Sequence, residues 1–98
     1  MIYDVLKSIG LPVAYFRFKS AVNPPFLIYL GNGQSTVFED NAIYFKKNQY
    51  QVQYYFKQKN EINENQIEQT LIDNGYNYQK SEDIYIENED LFVIYYDI

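Results

Sequence analysis

The apolar positions of this chain change their period as it is read. In residues 1–10, Ile2 and Leu6 stand four apart, as do Val5 and Ile9, and Gly10 follows. That spacing predicts a helix of about two turns, with Gly10 as its left-handed stop. So short a helix persists only when docked. The period then falls to two. Pro12 biases Leu11 out of the helical region. Residues 13–19 alternate, with Val13, Tyr15 and Arg17 on one face and Ala14, Phe16 and Phe18 on the other. A second strand is predicted at "NPPFLIYL". Pro24 and Pro25 donate no ladder bonds, so they belong before that strand or on an edge. Gly31 and Gly33 then release the chain into a predicted loop, "GNGQSTVFEDNA". Loops of about a dozen residues are generally functional or disordered.

The segment "IYFKKNQYQVQYYFK" reads as a hairpin or bent strand pair that turns at "KKN". Within it Tyr50, Val52, Tyr54 and Phe56 alternate with Gln49, Gln51 and Gln53, the mark of a strand with one buried face. Helical spacing returns in "INENQIEQTLIDNGY". Here Asn63 is the predicted N-cap, Gln66 completes a capping box, and Ile62 and Ile67 hold the hydrophobic-staple positions. Glu64 and Glu68 suit the positive helix start. Ile67 and Leu71 form the buried stripe, and Gly75 is the stop, with Tyr76 reaching back over Leu71. A strand pair ends the chain: "YNYQKSEDIYI", the turn "ENED", then "LFVIYYDI". Both faces of the last strand are apolar, so it is central or covered on its second face. The expectation is one α+β domain over residues 1–98, with two helices packed on a largely antiparallel sheet of about 4–6 strands.

Composition narrows the chemistry. The chain has 12 Tyr and 7 Phe but no Trp, no Cys and no His. Without Cys there is no disulfide framework and no thiolate. Without His the usual base near neutral pH and the commonest metal ligand are missing. No charged-then-apolar leader follows Met1, and no apolar run approaches a membrane span. A cytoplasmic setting and no membrane are therefore expected. The adjacent pairs Glu39–Asp40, Glu82–Asp83 and Glu89–Asp90 point to opposite faces on a strand, or stand solvated in turns. No catalytic residue, metal site or cofactor is expected. "GNG" is not a phosphate cradle, since no P-loop lysine follows.

The formal charge is −5, unevenly placed. Residues 1–60 hold seven basic and three acidic side chains, whereas residues 61–98 hold one basic and ten acidic. Such asymmetry is compatible with a nucleic-acid surface, with one copy's positive region meeting another's negative region, or with solvated faces that simply differ. A Tyr-rich sheet suits base stacking and Lys46, Lys47, Lys57 and Lys59 could form a local basic patch, but nothing in the sequence sets that patch against the Tyr stripe, and a pI near 4.5 argues against nucleic-acid recognition. Interaction rather than catalysis is expected, with Arg17, Lys19, Asn32, Gly33, Gln34, Phe38 and Tyr55 as candidate interface residues.

The order "IGLPVAYFRF", "NPPFLIYLGNG", "FEDNAIYFKKNQYQVQYYFKQKNE" and "NGYNYQKSEDIYIENEDLFVIYYDI" resembles the small tail-terminator, or tail-completion, proteins of siphophages and prophages of Gram-positive bacteria. The resemblance runs from about Ile9 to the end. It implies a structural protein without a reactive centre. Such a protein caps the tail tube as a ring, typically a hexamer, and presents a surface to the head–tail connector protein. The implied partners are further copies of the chain, the tail-tube protein and the connector. The implied location is the host cytoplasm during assembly and then the virion tail. A connector or neck role, or a small acidic binder that inhibits a host protein, remains open.

Overall fold

A computed structural model describes residues 1–39 and 42–98, with side-chain surroundings for residues 1–36 and 46–98. Helix α1 spans Ile2–Lys7, and Gly10 behind it takes a φ of 97°. Strand β1 (Val13–Tyr15) follows, then β2 (Phe26–Glu39) and β3 (Ala42–Phe56). Helix α2 (Glu61–Asp73) precedes β4 (Gln79–Lys80), β5 (Ile84–Ile86) and β6 (Leu91–Asp97). The six strands form one sheet in the order β1-β2-β3-β6-β4, with β5 also pairing with β6. Only β1–β2 is parallel. The expected α+β architecture is what the chain adopts.

Both helices lie on one face of the sheet. Ile2, Leu6 and Ile9 join Ile67 and Leu71 over Leu27, Val52, Tyr54, Phe56, Ile94 and Tyr96 in one buried cluster. Each such side chain contributes about 1.5–3 kcal/mol of transfer free energy. The β3 alternation of apolar and Gln residues appears as predicted, with Val52, Tyr54 and Phe56 buried. Strand β6 lies between β3 on one side and β4 and β5 on the other, and both of its apolar faces bury side chains. Ile94 and Tyr96 join the cluster beneath the helices. Val93 and Leu91 are also buried. Their side of the sheet carries the Phe18, Phe26 and Tyr55 rings, at centroid distances of 5.3 and 5.0 Å along that row.

Helix α2 ends as its sequence predicts. Gly75 has φ 84°, its N–H reaches the Ile72 carbonyl at 3.0 Å, and the Tyr76 N–H reaches Leu71 at 2.9 Å. That is a Schellman motif. The start differs from expectation. Asn60 is the N-cap, its side chain accepting from the Asn63 N–H at 3.1 Å. Asn63 therefore sits one turn in, and its amide donates to the Tyr54 hydroxyl at 3.3 Å. The Gln66 amide donates instead to the Ile9 carbonyl, and Ile62 is 78% exposed, so neither capping box nor staple forms. Two Asn residues three apart compete for one cap, and docking of Asn63 on the sheet decides between them.

Three further expectations are corrected. Strand β1 ends at Tyr15 instead of Lys19. Phe16 takes φ 67°, and the Arg17 N–H folds back on the Tyr15 carbonyl at 2.7 Å. This is a γ-turn with positive central φ, the rare and strained form. The predicted loop after Leu30 is strand as far as Glu39, while its end at Asp40 and Asn41 lies outside the described residues. The predicted "KKN" turn is also strand, with Lys46 opposite Thr36 and Lys47 opposite Ser35. The glycines make a bulge rather than a loop. Register shifts between Gly31 and Gln34, where Gly33 holds φ 87°, a conformation glycine adopts without steric penalty.

Candidate functional site

The extended β2–β3 pair reaches well past the rest of the sheet. Strand β1 accompanies β2 only over Leu27–Tyr29, and β6 accompanies β3 only over Gln51–Phe56. One further backbone pair, Tyr50 with Ile98, closes the β6 side. Beyond these points no other described strand accompanies the two, and the molecule is 51 Å long against 26 and 24 Å across. Gly31, Asn32, Gly33, Gln34, Ser35 and Thr36 are all exposed. The cross-strand side-chain contacts here are polar. Gln34 donates to Asn48 at 2.8 Å, and Gln49 donates to Ser35 at 2.7 Å. A two-stranded ribbon by itself is marginal in water. Its outer edges are templates for another strand.

The candidate interface residues divide into two groups. Asn32, Gly33 and Gln34 stand at the root of this arm, with Asn32 donating to Asp97 at 3.4 Å. Phe38 pairs with Ile43 through the backbone, and its side chain lies outside the described residues. Arg17, Lys19 and Tyr55 gather elsewhere. They line a cavity of about 510 Å³ on the sheet face opposite the helices, together with Phe26, Leu91 and Glu89. Burial raises the Tyr55 hydroxyl above its ordinary pKa, and the nearby Tyr95 and Glu89 add to that. The mixture of one acid and two bases around apolar walls suits an amphipathic side chain better than an ion.

A charge network lies under α2, where sequence reading placed only a helix-dipole role for Glu64. Glu64 is 2% exposed. Lys80 donates to its Oε1 at 2.9 Å and Lys59 at 3.1 Å, while Lys59 Nζ lies 2.8 Å from Oε2 in ion-pair contact off hydrogen-bond geometry. Lys59 also meets Asp83, and Lys80 meets Glu68 at 2.8 Å. The Tyr96 hydroxyl donates to Glu68 at 2.7 Å and the Tyr78 hydroxyl at 3.3 Å. Burial pushes the Glu64 carboxyl up. The Lys59 and Lys80 hydrogen bonds and charges outweigh that and leave it below the usual carboxylate value. Burial pushes Lys80 down, but Glu68 and Glu64 together raise it. Burial, then Glu68, raises the Tyr96 hydroxyl. The signal for the burial of Glu64, though not for its partners, was present: it is three residues before Ile67 and seven before Leu71, on the buried stripe.

Among the described residues no three His, Cys, Asp or Glu side chains are grouped to hold a metal ion. Nor is any described helix long and apolar enough to cross a membrane. A second cavity, of about 490 Å³, lies between Pro24, Pro25 and the start of α2, lined by Lys57, Lys59 and Asn60. Comparison with protein-family models and with curated proteins gives no match for this chain.

Proposed function

We propose that this chain is a structural assembly protein that joins copies of itself, acting in the role of a phage tail terminator. The observation that carries the reading is the two-stranded arm, which runs past the rest of the sheet with Gly31 to Thr36 exposed and with edges that no other described strand covers. Such a ribbon gains stability by adding to another surface. The sequence resemblance to tail-completion proteins supplies the role. Identical copies joined head to tail close into a ring, the tail-tube protein meets one side of that ring, and the connector protein meets the other. This role requires no catalysis. The copies act in the host cytoplasm during assembly and then in the virion tail.

Native mass spectrometry across concentration, alone and with tail-tube protein, tests this. A closed ring, especially a hexamer, in either condition is the expected result. A monomer in both would overturn it. A second reading has its own observation: Glu82, Asp83, Glu87, Glu89 and Asp90 are all exposed around the β5–β6 hairpin, as an acidic binder of a host protein requires. A stable monomer that co-purifies with one host enzyme supports that reading instead.

A further inference from the structure

We infer that copies of this chain associate by adding the open β2 edge of the arm, centred on Gln34 and Thr36, to the β4–β5 edge of a second copy. This rests on the self-assembly reading above and names the surfaces. The β2 edge is open for a local reason. Strand β1 occupies it as far as Tyr15, and the γ-turn at Phe16 then carries the chain away. The first N–H past that point, on Gly31, meets only the Tyr15 hydroxyl, at 3.5 Å.

Alternation along the arm shows which backbone groups face outward. Gly31 opposes Tyr50, whose own N–H and carbonyl turn away to Ile98 at 3.2 and 2.9 Å. Two residues further along β3 is Asn48, opposite Gln34, and two further is Lys46, opposite Thr36. In an antiparallel ladder these alternate pairs leave their N–H and carbonyl groups pointing outward. From Asn32 to Phe38 the β2 edge carries no charge and no proline, and its register shifts, at Gly31/Gln34 and Val37/Phe38, leave Gln34 to Val37 regular between them. The β3 edge of the arm does carry charge, in Lys46 and Lys47.

The β4–β5 edge fits as the receiver on two grounds. It is the opposite margin of the same sheet. Joining opposite margins is heterologous and propagates from copy to copy, whereas pairing the arm edge with itself would stop at a two-fold dimer. The charges also agree. Directly across from Ser35 and Thr36 the arm carries Lys47 and Lys46, with its acid, Glu39, further toward the tip, while the β4–β5 edge and its turn hold Glu82, Glu87, Glu89 and Asp90, besides the Asp83 that pairs with Lys59. Complementary charge of this kind sets orientation. Tyr15 and Phe16, 57% and 61% exposed, stand where the added strand would end.

The chain has no Cys, so introduced thiols report without background. The full chain carrying both Thr36→Cys and Tyr85→Cys, treated with a short bis-maleimide that tolerates a small register offset, is expected to give a covalent ladder. Each single variant should give none. Thr36→Pro removes only an outward N–H. It is expected to lower the assembled fraction at least tenfold in native mass spectrometry, with the near-ultraviolet tyrosine circular dichroism of the monomer unchanged. If Thr36→Pro unfolds the monomer, Thr36→Lys places a charge on the same edge, and the same tenfold loss is expected of it. Rings that form without the ladder, or a dimer cross-linked through Thr36→Cys alone, would overturn the edge assignment and leave self-assembly standing. An unaltered chain that stays monomeric with and without tube protein would overturn both.

Discussion

Substituting Glu64→Gln removes the charge at the centre of the network under α2 and keeps the shape. Each of its two lysine hydrogen bonds is charge-assisted, a class worth about 1.5–3 kcal/mol. The full loss is not expected. Lys59 retains Asp83 at 3.1 Å and Lys80 retains Glu68 at 2.8 Å, and their side chains are 46% and 34% exposed. No buried charge is left uncompensated, so the cost stays under the roughly 3–5 kcal/mol of an orphaned ion. The amide oxygen still accepts one bond. The expected loss is about 2 kcal/mol at neutral pH. In a domain this size that lowers Tm by roughly 8–16 °C.

The pH dependence gives the more selective test. The Glu64 carboxyl is held below its ordinary value in the fold. Its contribution is therefore fully present above the unfolded carboxylate pKa, near 4.3, and is lost as pH falls through the lower folded value. Urea unfolding of the parent and Glu64→Gln, followed by circular dichroism from pH 7 to pH 2, should show two curves that converge in acid. A double-mutant cycle with Lys80→Met should return a coupling above about 0.5 kcal/mol. A penalty under about 0.5 kcal/mol at pH 7, or a gap that does not change with pH, would refute the reasoning. Either result would mean that Glu64 is not an ionised, paired carboxylate.

Two smaller substitutions test the local geometry. Asn60→Ala should cost about 1 kcal/mol in thermal unfolding by removing the α2 cap; if Asn63→Ala alone carries the loss, the helix begins where its sequence first suggests. Phe16→Gly should be more stable than Phe16→Ala by about 1 kcal/mol, because only glycine relieves the positive φ. Equal stabilities would remove the strain at that turn.

Much of the fold was legible because much of it is local. The Gly75 stop and the Ile67–Leu71 stripe lie within one helix, and β3 declares itself by its Gln alternation. What was not legible depends on partners distant in sequence. Glu64 meets Lys59 five residues away, but also Lys80 sixteen away, and no spacing rule links those. Arg17, Lys19 and Tyr55 share a cavity only because the 17–22 segment crosses the sheet face to reach Tyr55. Gly-Asn-Gly reads as a loop until Tyr50 pairs with Gly31 and Asn48 with Gln34, which makes it a bulge.

The same tripeptide explains why the alternation of residues 13–19 does not become a full strand. The β1–β2 register pairs Val13 with Leu27. Carried forward, it would set Arg17 against Gly31, Phe18 against Asn32 and Lys19 against Gly33. Those positions hold the bulge, where β2 shifts register and Gly33 turns to positive φ. A parallel ladder needs evenly spaced partners, and the bulge removes them. The chain leaves at Phe16 and crosses to the opposite face, where Phe18 meets Phe26 at 5.3 Å. The bulge in β2 thus shortens β1, builds the cavity that holds Arg17 and Lys19, and uncovers the arm edge to which the docking strand is assigned. Replacing Gly33 with a residue confined to negative φ acts on all three at once.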